Sequence, residues 1–101
     1  MKTASIYKDL DFHENKPVLK ILMETRSSKE IRIVFKKGVE LKEHKTNSPI
    51  LVQVFEGSIS FSVENEVLSL NKGEMVSLEP NISHSLKALE ESVVRLTIYK
   101  S

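Results

Sequence analysis

The chain has 101 residues, 15 Lys and Arg against 14 Asp and Glu, and no cysteine. Its length and composition fit one ordinary globular domain, and the near-neutral balance gives no electrostatic handle on nucleic acid or an anionic membrane. A disulfide framework, a thiolate zinc site and a cysteine nucleophile are excluded, and no apolar run approaches the ~20 residues of a membrane-spanning helix.

Residues 1–17 read as an N-terminal arm with one possible strand at 4–7. Its Ile6, Tyr7, Leu10 and Phe12 are available for strand exchange with a partner. No apolar segment opens the chain, so a cytoplasmic location is expected. From residue 18 to 101 the dominant period is two. Ile31, Ile33 and Phe35 alternate with Arg32 and Val34; Ile59, Phe61 and Val63 alternate with serines; Val94, Leu96 and Ile98 alternate with Arg95 and Thr97. Such alternation puts one side-chain set on a buried face. Strands are predicted at 18–24, 29–36, 39–44, 50–55, 58–64, 66–70, 74–79, 83–88 and 92–99. Turn residues separate them: Lys37-Gly38, Thr46-Asn47-Ser48-Pro49, Glu64-Asn65-Glu66, Asn71-Lys72-Gly73 and Glu79-Pro80-Asn81. In the tightest of these, Asn65 is the residue suited to a left-handed backbone. Many short strands at this spacing predict an all-β antiparallel barrel or jelly roll, whose closure disposes of open edges. Apolar residues on both faces (Leu51, Val52, Val54 and Phe55; Val93 beside Val94) predict a homodimer.

Three histidines exist, His13, His44 and His84. By period two, His44 shares a strand face with Thr46, and also with Glu40 and Lys42, which are expected at the solvated strand end. His84 leads a strand that continues with Leu86 and Ala88 on its own face. Where those faces meet, two imidazoles converge on a cavity lined by Ile50, Val52, Phe61 and Leu86. Buried imidazoles need partners, which makes them candidates for binding polar ligand atoms. Glu79 is a possible added carboxylate, Asn81 is expected to serve its turn, and His13 is read as a surface or interface side chain.

Two of the histidines sit in a frame. Gly38, His44 and Gly57 fall at the spacing G-x5-H-x-H-x3-E-x6-G, and Gly73 and His84 at G-x5-P-x-G-x2-H. The chain thereby resembles the cupin family, over about residues 30–99. Thr46 stands where the family has its second histidine and Ile50 where it has glutamate. Glu79 and Asn81 replace the proline and glycine of the second motif. The resemblance implies a cupin-like β-barrel and a site at His44 and His84. Full family sites hold a metal with three histidines and one glutamate, and two of those four ligands are present here. Any divalent metal (Zn, Ni, Fe or Mn) is therefore expected to be weakly held. Two functions stay open. One is binding of a small polar metabolite at His44, Thr46, His84, Ile50 and Phe61 without catalysis. The other is a metal-dependent enzyme of dioxygenase or isomerase type acting on a small acid or sugar, with Glu79 as substitute carboxylate.

Overall fold

The computed structural model describes residues 1–100. Among them are nine strands: β1 (Val18–Glu24), β2 (Ser28–Phe35), β3 (Glu40–His44), β4 (Ile50–Glu56), β5 (Ser58–Val63), β6 (Glu66–Asn71), β7 (Met75–Leu78), β8 (His84–Ala88) and β9 (Ser92–Tyr99). Every predicted strand from residue 18 on is present, each end within one residue of its expected place. The described residues contain no helix, and therefore none long and apolar enough to cross a membrane.

The strands form two antiparallel sheets, one ordered β1-β2-β9-β4-β7 and the other β3-β8-β5-β6. Alternation turns Ile31, Ile33 and Phe35 of β2, Ile50, Val52 and Val54 of β4 and Val94 and Leu96 of β9 toward the opposite sheet. There they meet Ile59, Phe61, Leu86 and Ala88 in one core. Each such burial stabilises by about 1.5–3 kcal/mol against exposure. The architecture is the expected jelly roll.

The chain passes from one sheet to the other at Gly57. A Cβ there would lie 2.2 Å from Ser92 Oγ and 2.4 Å from the Glu91 carbonyl oxygen, and φ is +88°. Only glycine fits both the backbone and the space. In the β5–β6 hairpin, the left-handed residue is Glu64 (φ 52°), not Asn65 as expected. The turn fixes which position takes positive φ, and the residue best suited to it stands one place too late.

One further expectation is corrected on the outer face of the five-stranded sheet. Residues 4–7 form no strand. Instead the arm folds back on its own sheet: Arg32 Nη1 donates to the carbonyl of Lys8 at 2.7 Å, and Nη2 to that of Asp9 at 3.2 Å. The Tyr7 ring meets Phe55 edge-on at 6.3 Å. Val34 and Val93, apolar residues of this outer face, are buried within the single chain.

Candidate functional site

Both histidines end strands at the same mouth of the sandwich. His84 opens β8, whose His84, Leu86 and Ala88 are buried while Lys87 is exposed. His44 closes β3 and pairs directly with His84 across the sheet. That pairing depends on a bulge. Leu41 pairs with Leu86 and His44 with His84, so three residues on β3 span two on β8. A bulge inserts one residue and shifts the facing of all that follow. The inward set is therefore Leu41 and His44, not the even-numbered residues. Glu40 and Lys42 point outward and are exposed, and the expected shared parity with His44 does not hold.

The two imidazole centroids lie 4.3 Å apart with planes tilted by 57°. Phe61 lies nearly parallel to the other side of this arrangement, 5.6 Å from His84 with 13° between planes. His84 is 3% exposed, and Val63 is its neighbour on β5. The row across the sheet at the mouth runs His44, His84, Val63, Glu66.

Local geometry fixes how the rings are protonated. His84 Nδ1 is 2.9 Å from the Ile82 carbonyl oxygen, and His44 Nδ1 is 2.9 Å from the Lys42 carbonyl oxygen. A carbonyl only accepts, so each Nδ1 carries the hydrogen, and in the neutral ring Nε2 offers a lone pair. Burial holds the His84 imidazole below the usual histidine range. Its bond to Ile82 opposes that effect, and the neighbouring His44 adds to it. His84 is thus a neutral hydrogen-bond acceptor at neutral pH.

The residues expected to line an interior cavity are packed as core among the described residues. Ile50, Val52, Phe61 and Leu86 are all 3% exposed or less and pack against one another as core. Open space lies beside the histidine row instead, between the edge strands β6 and β7. This depression of about 420 Å³ has apolar walls from Val63, Leu68, Val76 and Leu78, with Glu64, Asn65 and Glu66 on its rim. Its size falls within the ordinary range for small-molecule pockets. Val76 pairs with Val52, Leu78 with Ile50 and Leu68 with Phe61, so its walls are inward-facing residues of both sheets.

Thr46 lies beyond the end of β3, not on its face. Its hydroxyl donates to the Ser48 carbonyl at 2.9 Å and is committed to the loop. Its carbonyl accepts from the Asn81 N–H at 2.7 Å, tying the β3–β4 loop to the β7–β8 turn. Asn81 takes φ 65°, which explains how it replaces a motif glycine, since Asn tolerates this conformation. Glu79 is exposed beyond the end of β7. His13 is exposed in the arm, where its Nδ1 accepts from the Asn15 N–H. Missed in the sequence were the carbonyls of Ile82 and Lys42, each two residues before its histidine, and the walls Val63, Leu68, Val76 and Leu78. The walls were readable once the β5–β6 hairpin register was drawn.

The donor set bears on the metal that the cupin resemblance implies. Among the described residues no three His, Cys, Asp or Glu side chains cluster to hold an ion. Ile50 cannot ligate, and the Thr46 hydroxyl is spent. Two imidazole nitrogens fall short of the three protein ligands usual in catalytic zinc sites or the two histidines and carboxylate of non-haem iron.

Comparison with known proteins bears on the fold. No family model matches the chain, and no curated protein matches it. Solved structures do. An RmlC-like cupin protein from Desulfovibrio desulfuricans superposes with a TM-score of 0.90 at 24% identity, over 98% of this chain and 96% of that one. A protein with a double-stranded β-helix domain from Klebsiella pneumoniae gives 0.85 at 17%, over 98% and 89%. A cupin superfamily protein from Desulfitobacterium hafniense gives 0.83 at 11%, over 91% and 84%. The cupin, or double-stranded β-helix, fold implied by the spaced glycines and histidines is the fold this chain has.

Proposed function

We propose that this chain binds a small polar metabolite at the mouth of the sandwich, with His44 and His84 accepting hydrogen bonds from it, and that it does so without catalysis. One observation carries the reading. Both Nδ1–H groups are bonded to backbone carbonyls, which leaves two neighbouring Nε2 lone pairs, and an apolar-walled depression begins at Val63, the strand neighbour of His84. Apolar walls with a few convergent polar groups are the usual makeup of a small-molecule site. The lone pairs also select the ligand group. A carboxylate needs donors, and a neutral His84 supplies none from Nε2, so a hydroxyl or amine fits better than an anion.

The test is NMR observation of the imidazole Cε1–H signals while small polyols and their deoxy analogues are titrated. The polyol is expected to move both histidine signals, the deoxy analogue to move neither, and His44→Ala to weaken binding by about tenfold, the cost of one lost hydrogen bond. Metal-dependent turnover of a substrate, lost on chelation, overturns the reading in favour of an enzyme.

A second reading, a loosely held divalent cation, is favoured by the same tautomers, because Nε2 ligation with Nδ1–H bonded to a carbonyl is a common metal-binding arrangement. Calorimetric titration with Zn²⁺ or Ni²⁺ is expected to give weak, exchangeable binding. Metal that survives gel filtration in stoichiometric amount refutes the view that the protein ligands are too few.

A further inference from the structure

We propose that the outer face of the five-stranded sheet carries a second site, for a small phosphate-type dianion, between the N-terminal arm and β1. Three cations stand side by side on this face. Lys20 of β1 pairs directly with Arg32 of β2, and Arg32 with Arg95 of β9. Like charges directly opposite on neighbouring strands repel. One carboxylate, that of Glu30, offsets the Arg95 end of the row. The Glu30 carboxylate lies 3.9 Å from Arg95 and also accepts from the Ser28 and Thr97 hydroxyls.

Arg32 is the unusual member. It is 3% exposed, it meets only main-chain carbonyls of the arm, and its Nε has no hydrogen-bond partner. A buried guanidinium is ordinarily matched by a carboxylate. Here the carbonyls of Ile6, Lys8 and Asp9 supply partial charge alone, and the charge of the row stays under-compensated.

A depression of about 450 Å³ opens at the Lys20 end of this row. Lys20 belongs to both the row and its lining. Lys8 and Asp9, whose carbonyls hold Arg32, line it as well, with the hydroxyls of Thr3 and Ser5. Among the described residues neither lysine is in a salt bridge. Asp9 gives the lining its one carboxylate. Two free ammonium groups, two hydroxyls and a buried guanidinium behind them suit a dianion of tetrahedral shape, and the volume admits a small organic body attached to it.

The experiment compares the full chain with Lys8→Gln, Lys20→Gln and the double variant in chloride and in inorganic phosphate at equal ionic strength. Thermal unfolding of the unaltered chain is expected to rise by about 5 °C in phosphate at several times its dissociation constant. In the same titration the Arg32 Nε–Hε and residue 3–9 amide NMR signals are expected to move saturably. Without phosphate, Lys20→Gln is expected to melt no lower than the unaltered chain, because it relieves repulsion. With phosphate, the double variant is expected to lose most of the rise. An equal rise in all four proteins is a general salt effect and overturns the proposal. So does adsorption to phosphatidylserine vesicles without any response to free phosphate. Neither outcome touches the histidine site, which lies at the mouth of the sandwich.

Discussion

Replacing Gly57 by alanine tests how the two sheets are joined. Three costs add. An L-residue in the left-handed region costs about 1–2 kcal/mol. The new Cβ would lie 2.2 Å from Ser92 Oγ, 2.4 Å from the Glu91 carbonyl oxygen and 2.8 Å from Ser92 Cα, and two of these atoms are backbone that cannot rotate aside. Overpacking of that kind costs about 1–3 kcal/mol. Ser92 Oγ also accepts from the Ser58 N–H and donates to the Glu90 carbonyl, and disturbing one such bond costs about 1 kcal/mol. Reduced freedom of the unfolded chain returns about 0.4–1 kcal/mol. The net loss is about 3–4 kcal/mol, which for a domain of this size lowers Tm by at least ~12 °C. Gly38 and Gly73 provide the controls: their φ values are +86° and +89°, yet nothing lies within 4 Å of a built Cβ. Alanine at either is expected to cost only about 1 kcal/mol, the backbone share. Thermal melts followed by far-ultraviolet circular dichroism measure all three. If Gly57→Ala melts within a few degrees of Gly38→Ala, the crossing is not the tight approach described, and the reasoning fails.

Other perturbations address the site and its surroundings. Burial depresses the His84 pKa, so below about 6.5, the ordinary imidazole value, the unfolded chain binds more protons than the folded one. Stability is therefore full above that pH and falls as pH drops toward the folded-state value; urea midpoints at pH 8 and pH 5.5 should differ in that direction, and His84→Phe should narrow the difference. Glu64→Gly removes an L-residue from φ 52° and is expected to raise stability by about 0.5–1 kcal/mol, read from the same denaturation curves. Arg32→Met takes away the donors that hold the arm, and limited trypsin digestion should then cut after Lys8 well before the barrel is attacked; an arm as resistant as before would mean that its other contacts, Tyr7–Phe55 and Glu14–Lys36 among them, secure it.

Strand positions were legible because period two is strong in almost every strand and glycine, asparagine or proline marks most breaks. The meeting of His44 and His84 was legible from their offsets to Gly38 and Gly73. Three features escaped. A bulge is a backbone event with no side-chain signature, so parity counted backward from His44 put Glu40 and Lys42 on its face, although their expected exposure at the strand end holds. Whether inward residues leave a cavity depends on the sum of side-chain volumes against sheet separation, and Ile50, Val52, Phe61 and Leu86 fill the space between them. Arg32 sits among alternating apolar residues on the face read as solvent-facing. Its burial follows from the arm folding over it, a contact between residues more than twenty positions apart that no local pattern encodes.

The bulge in β3 also acts as a selector between an acid and a base. A regular pleat continued from Leu41 would turn Glu43 toward His84 and send His44 to the surface. Straightening this strand without altering its composition would exchange an imidazole for a carboxylate beside His84. The pair would become an ion pair, and His84 would gain a reason to hold its proton. In this region of the fold, changes in backbone length can rewrite the chemistry of the mouth more readily than substitutions. Deleting Lys42, by contrast, would let the regular pleat carry the present histidine to the same place with no bulge at all.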